Sequence, residues 1–140
     1  MNNTSLILEG GGMRGVYSAG VLDLLLDKNI NINYCIGVSA GACNCVSYIS
    51  KQKKRNYRVN INYINDKRYL SFRNLLKTGS AFGMNMLFDI IPNELEPFDH
   101  ESFRTSGTKF LVGATNCDTG LPEFYPIKDF DEDGYDSLKA

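Results

Sequence analysis

Two glycine-rich turns constrain this chain more than any other feature. Each stands where a short apolar run gives way to residues at helical spacing. Ser5-Leu6-Ile7-Leu8 leads into Gly10-Gly11-Gly12-Met13-Arg14-Gly15, after which Val16, Ala19, Leu22 and Leu26 recur at helical intervals. Tyr34-Cys35-Ile36 leads into Gly37-Val38-Ser39-Ala40-Gly41 and a small-residue helix from about Ala40 to Ser50. Strand, helix, strand, helix within about fifty residues predicts βαβ units on a parallel sheet.

The remaining elements are shorter. Arg58 to Asp66 reads as helix, as does Leu70 to Leu76, and Met84 to Ile91 reads as a helix stopped by Pro92. Asp99 is placed to cap a brief helix over Glu101–Arg104. Phe110 to Thr115 returns to a strand pattern, Cys117-Asp118-Thr119-Gly120 makes a turn, and Glu123-Phe124-Tyr125 forms a pairing strand. Asp136 then caps a helix beginning at Ser137, and the chain stops at Ala140 after about one turn. A lone turn is unstable in water, so the expectation is a domain cut short at its C-terminal end.

Composition narrows the class. At 140 residues and 43% hydrophobic, the chain suits one domain or part of one and carries enough apolar residues for a core. Fifteen basic against sixteen acidic side chains argue against a protein that coats nucleic acid. No apolar run approaches the ~20 residues of a membrane helix. The N-terminus lacks the basic flank and long apolar stretch of a secretory signal. Cys35, Cys43, Cys45 and Cys117 show neither a disulfide framework nor paired C-x-x-C, so reduced thiols in a cytosolic chain without metal are expected. Charge is segregated: nine basic residues lie between Lys51 and Lys77 with only Asp66 opposing them, and acids dominate from Asp89 to Asp136. A solvated face explains this simply; a surface that meets anionic lipid headgroups is the sharper alternative.

Both glycine turns sit at a helix N-terminus, where unpaired N–H groups and partial positive charge can hold an anion. Gly10, Gly12 and Gly15 satisfy the dinucleotide fingerprint G-x-G-x-x-G, but the second strand ends Tyr34-Cys35-Ile36-Gly37 without the carboxylate that should bind the ribose. The competing reading takes both turns together. Gly37-Val38-Ser39-Ala40-Gly41 fits the nucleophile elbow G-x-S-x-G, with Ser39 at a sharp strand-to-helix turn. Side chains at Gly37 and Gly41 would collide with the neighbouring helix and strand. Gly10-Gly11-Gly12, at the end of the adjacent strand, can present backbone N–H groups to a tetrahedral oxyanion.

GGGMRG followed by GVSAG resembles the patatin-like phospholipase family, and the stretch from Tyr69 through Asn116-Cys117-Asp118-Thr119-Gly120 resembles its bacterial, cytoplasmic branch. The resemblance spans residues 1–140 as a partial domain. It implies a three-layer α/β/α sandwich with a mainly parallel central sheet and a Ser–Asp dyad with Ser39 as nucleophile. It further implies an oxyanion hole at Gly10, Gly11, Gly12 and Gly15, with Arg14 supporting the loop. Lipid or fatty-acyl esters would be the substrates, with no metal or organic cofactor; peripheral membrane contact through Lys51–Lys77 is the sharper reading of the charge pattern alone. The family's aspartate belongs to an Asp-Gly-Gly or Asp-Gly-Ala sequence, whereas Asp133-Gly134-Tyr135 in a polar stretch reads as a surface turn. The nucleophile half of a site is therefore expected without its base. Two other functions share these motifs: an acyltransferase using the same elbow, and a non-catalytic lipid- or partner-binding module.

Other candidates read more plainly. His100 follows Asp99 in a polar segment and reads as a surface or cap histidine. Asp118-Thr119-Gly120 spells an aspartic-protease triplet but lacks the second aspartate that chemistry requires. Cys43 and Cys45 fall on different helix faces and read as packing residues. Phe82, Met84, Met86, Leu87 and Phe88 read as core, or else as the border of an acyl-chain groove near Ser39.

Overall fold

A computed structural model of the protein describes residues 4–128. Four strands form one sheet in the order β1 (Ser5–Leu8), β2 (Tyr34–Val38), β3 (Lys109–Thr115) and β4 (Pro122–Ile127). β1, β2 and β3 run parallel, with Leu6 opposite Cys35 and Cys35 opposite Phe110. β4 returns antiparallel to β3. In the turn between them Asn116 Oδ1 accepts the backbone N–H groups of Asp118 (2.9 Å) and Thr119 (3.0 Å). Asp118-Thr119-Gly120 is thus a turn. The mainly parallel α/β architecture is the one expected; the Asp133 turn and the helix after Asp136 lie outside the described residues.

β1 hands over through a 3₁₀ turn (Gly12–Arg14) to α1 (Gly15–Asp27), and β2 hands over directly to α2 (Ala40–Ile49). Strand order rises by one at each parallel step, so right-handed crossovers put the connecting helices on one face of the sheet. That face is sealed. Cys35, Phe110 and Val112 are buried there with Leu22 of α1 and Cys45, Val46 and Ile49 of α2. Strand residues pointing the other way are more open: Ile36 and Leu111 are half-buried and Ile7 is 69% exposed.

The crossover from β2 to β3 is long. It holds α3 (Arg55–Asn62), α4 (Phe72–Thr78), a π-helix (Met86–Leu95) and α5 (His100–Thr105). Ser71 and Asp99 cap α4 and α5 by accepting the N–H groups of Asn74 (3.1 Å) and Ser102 (2.8 Å). The π-helix corrects the expectation that Pro92 ends this segment, for the helix runs through it to Leu95. Bonding to the fifth residue, as Glu96 N–H does to Ile91 O at 2.8 Å, widens the turn and eases the crowding that proline causes in a tighter helix. Pro92 O is taken up by Phe98 N–H at 2.9 Å. Tyr69, Met86 and Ile91 form a second buried cluster, with Phe82 edge-on to Tyr69 at 5.8 Å.

The basic segment is not uniformly solvated. Arg55 is buried under the end of the π-helix, donating from Nε (3.1 Å) and Nη2 (2.9 Å) to Glu96 O and from Nη1 to Ser47 Oγ (3.2 Å). Arg58 pairs with the Glu96 carboxylate at 2.7 Å, and Lys53 pairs with Asp27. Lys51, Lys53 and Lys54 stay exposed before α3, as do Lys67, Arg68, Arg73 and Lys77 on and before α4.

Candidate active site

Ser39 occupies the single residue between β2 and α2, with φ 50° and ψ −124°. A non-glycine residue there is strained by roughly 1–3 kcal/mol, held in place by the two elements it joins. Its carbonyl accepts Ala42 N–H (2.9 Å) and Cys43 N–H (3.2 Å), opening the first turn of α2. The side chain stays exposed.

The flanking glycines make this turn sterically possible. A methyl group on Gly37 would lie 2.5 Å from Ala42 Cα, and one on Gly41 would lie 2.3 Å from Leu8 O. The absence of both lets α2 pack against β2 and the end of β1 at once. The first glycine turn arrives beside the second: a methyl on Gly10 would come 3.2 Å from Ser39 Cβ. Gly12 takes φ 53°, a conformation side chains resist, and Gly11 O accepts Arg14 N–H at 3.1 Å. The Arg14 side chain runs alongside Gly11. Gly15 lies so close to α2 that a methyl would be 3.3 Å from Ala40 Cβ. Gly10, Gly11, Gly12, Arg14 and Gly15 are thus gathered around the Ser39 turn.

Ser39 opens on a cavity of about 680 Å³, within the range of ligand sites. Val59, Phe82, Met84, Leu87, Phe88 and Ile91 supply much of its apolar wall, so most of the Phe82–Phe88 cluster borders the cavity. Met86 is the exception, buried in the second core cluster. Among the described residues lining the cavity there is no aspartate, glutamate or histidine. His100 stacks edge-on against the cavity-lining Phe98 at 4.9 Å and does not itself line the cavity. Asp118 stays at the β3–β4 turn.

One part of the site was invisible to sequence reasoning. Buried Asn44 donates to Gly15 O at 2.8 Å, joining α2 to the first glycine loop. Its own carbonyl accepts Asn56 Nδ2 (3.1 Å), and Asn56 O accepts Asn60 Nδ2 (2.7 Å). Asn60 Oδ1 accepts the Tyr69 hydroxyl at 3.3 Å, and all these residues line the cavity. This chain of amides braces the loop against the far wall. Asparagines at helical spacing in α3 were the available signal, but in sequence they look solvated.

Cys45 is fully buried, whereas Cys43 lines the cavity four residues after Ser39. Burial pushes the Cys43 thiol up from 9.0 to about 11 and the Tyr69 hydroxyl from 10.0 to about 12. Both groups keep protons in the folded chain at a pH where the unfolded chain has released them. Their contribution to stability is complete below pH 9 and is lost as pH rises from 9.0 to about 12. The urea midpoint is therefore expected to fall over that window, and Cys43→Ser is expected to flatten the fall. A slope identical in the variant would remove Cys43 as a contributor.

Among curated proteins, the chain is 26% identical over 124 residues to the uncharacterized protein YjjU of Escherichia coli (strain K12). That match covers 86% of this chain and 35% of the relative, so the chain spans about a third of its relative's length. The family model for the patatin-like phospholipase domain matches residues 6–137, taking in both glycine turns, the cavity walls and all four strands. The chain therefore belongs to the patatin-like phospholipase family.

Proposed function

We propose that Ser39 is the nucleophile of a lipid acyl hydrolase that cleaves fatty-acyl esters. Family membership supports lipid acyl hydrolysis in general, and one observation carries the finer reading: an exposed serine on a strained turn, facing a 680 Å³ apolar cavity. Ser39 Oγ attacks the ester carbonyl while a base takes its proton. The developing oxyanion meets backbone N–H groups of Gly10–Gly12 and the positive end of α2. Collapse expels the alcohol or lysolipid and leaves an acyl-enzyme. Water, activated by the same base, then releases the fatty acid. The acyl chain lies along Phe82, Met84, Leu87 and Phe88.

The resemblance assigns the base to an aspartate of an Asp-Gly-Gly or Asp-Gly-Ala sequence, which these 140 residues do not contain. The chain by itself is accordingly proposed to lack appreciable ester turnover while keeping a reactive-serine environment. Sites stripped of one catalytic member retain a residual acceleration of about 10³–10⁴ from oxyanion donors and binding. Cytoplasmic residence with visits to a lipid surface completes the proposal. Among the described residues no helix is long and apolar enough to cross a membrane.

The test is labelling of the purified chain with alkyl fluorophosphonates, read by peptide mass spectrometry. Slow modification at Ser39, faster with a long alkyl chain than with a short one, is expected. Ser39→Ala should abolish it, and Phe88→Ala should erase the chain-length preference. Modification elsewhere, or none on folded protein, rejects Ser39 as nucleophile. Robust Ser39-dependent ester turnover would show that a base is already present.

A further inference from the structure

The wall of the cavity carries a projecting segment that acyl transfer at Ser39 does not use. Residues 71–81 leave and rejoin the fold at one point, closed by a bridge between Leu70 and Phe82. Ser71 N–H donates to Ala81 O at 3.0 Å, and Gly83 N–H donates to Tyr69 O at 2.9 Å. The closure is tight: a methyl on Gly83 would lie 1.8 Å from Arg68 O. Tyr69, Ser80 and Phe82, at the base of the segment, all line the cavity.

α4 occupies the tip, and it turns large apolar residues to solvent beside its charged ones. Its polar residue Asn74 turns inward, donating to Lys67 O and Arg68 O at 3.3 Å each. Its apolar residues turn outward: Phe72 is 76% exposed, Leu76 79% and Leu75 40%. Capping at Ser71 and at Gly79 (φ 77°) holds the helix in this orientation. Arg73 and Lys77 flank these residues on α4 and Lys67 and Arg68 precede it, all exposed, and no acidic residue occurs between Asp66 and Asp89 in the sequence. Among the described residues, Arg68 pairs with Asp66 at 2.7 Å and no ion pair joins Lys67, Arg73 or Lys77.

An outward apolar ridge flanked by basic side chains matches the boundary between acyl chains and anionic headgroups. A protein partner could cover the ridge as well, but the unopposed positive charge selects a negatively charged surface. We propose that α4 is an interfacial docking element that seats the cavity wall on an anionic phospholipid surface. Phe72 and Leu76 enter the acyl boundary, and Arg73 and Lys77 contact phosphate. The identity of the partner as lipid rests on the acyl-hydrolase reading; the direction in which α4 faces does not.

Cosedimentation with sucrose-loaded vesicles tests this. One set contains phosphatidylcholine alone, the other phosphatidylcholine mixed with phosphatidylglycerol, each at low and high salt. Binding to the anionic set that weakens with salt is expected. The double variants F72S/L76S and R73Q/K77Q should each reduce partitioning at least about tenfold, with circular dichroism unchanged. Equal binding to both vesicle types, no binding to either, or full binding by both variants overturns the proposal. So does concentration-dependent dimerisation that F72S/L76S abolishes while vesicles are ignored. A water-soluble fluorophosphonate separates the two claims, because it reaches Ser39 without a vesicle. Failure to label alongside α4-dependent vesicle binding rejects the hydrolase reading and leaves the docking surface supported.

Discussion

Gly41→Ala should unfold the junction on which the site is built. The added methyl would meet Leu8 O at 2.3 Å and Glu9 O at 2.7 Å. Both are backbone atoms of the β1 end, so no side-chain rotation relieves the contact. Either α2 lifts from the sheet or β1 shifts, and both movements open the sealed core around Cys45 and Ala42. Overpacking of this kind costs typically 1–3 kcal/mol and more when backbone must move, so a loss of about 3 kcal/mol or more is expected. Much of a domain's net stability would be gone. Gly20→Ala is the control. Gly20 lies inside α1 with nothing within 4 Å of the added methyl, and the same substitution should stabilise by roughly 0.4–1 kcal/mol. Urea midpoints that move in the same direction for both would contradict the packing described for α2.

Ser39→Gly is expected to do the opposite to stability and to end reactivity. At φ 50° and ψ −124° glycine relieves strain of roughly 1–3 kcal/mol, against about 0.5–1 kcal/mol for its greater freedom in the unfolded chain. A net gain near 1 kcal/mol should raise the melting temperature by a few degrees. Ser39→Ala keeps the strain and loses only the hydroxyl, so its melting temperature should stay near that of the parent. Neither variant should react with a fluorophosphonate. If glycine and alanine prove equally stable, the turn is not strained and this account of the elbow fails.

What could be read in the sequence was local. The pairing of an apolar run with a glycine cluster located β1, β2, α1 and α2 within a residue or two, because strand and helix periods need no distant information. The crowding at Gly37 and Gly41 was legible for the same reason. Pro92 misled because the rule that proline stops a helix assumes the tighter α turn, and a π turn is specified by packing against Tyr69 and Phe82. Asn44, Asn56 and Asn60 were not legible as a brace, since each finds its partner on another element or one turn away. The outward face of α4 was equally hidden: Leu70 to Leu76 reads as helix, but only the Tyr69–Gly83 closure decides which side meets solvent.

The long crossover has a consequence for how such a protein can diversify. The Ser39 turn is fixed by β1, α1, β2 and the start of α2, and the contacts at Gly37 and Gly41 tolerate almost nothing there. Most of the apolar wall, from Val59 to Phe98, is threaded between two strands that already pair directly, Tyr34 beside Lys109. Exchange of that one insertion would redraw the cavity and its docking ridge without altering a single strand register. The Ser39 turn and the cavity wall are therefore inherited from separate stretches of chain, one constrained by sterics and the other free to be replaced.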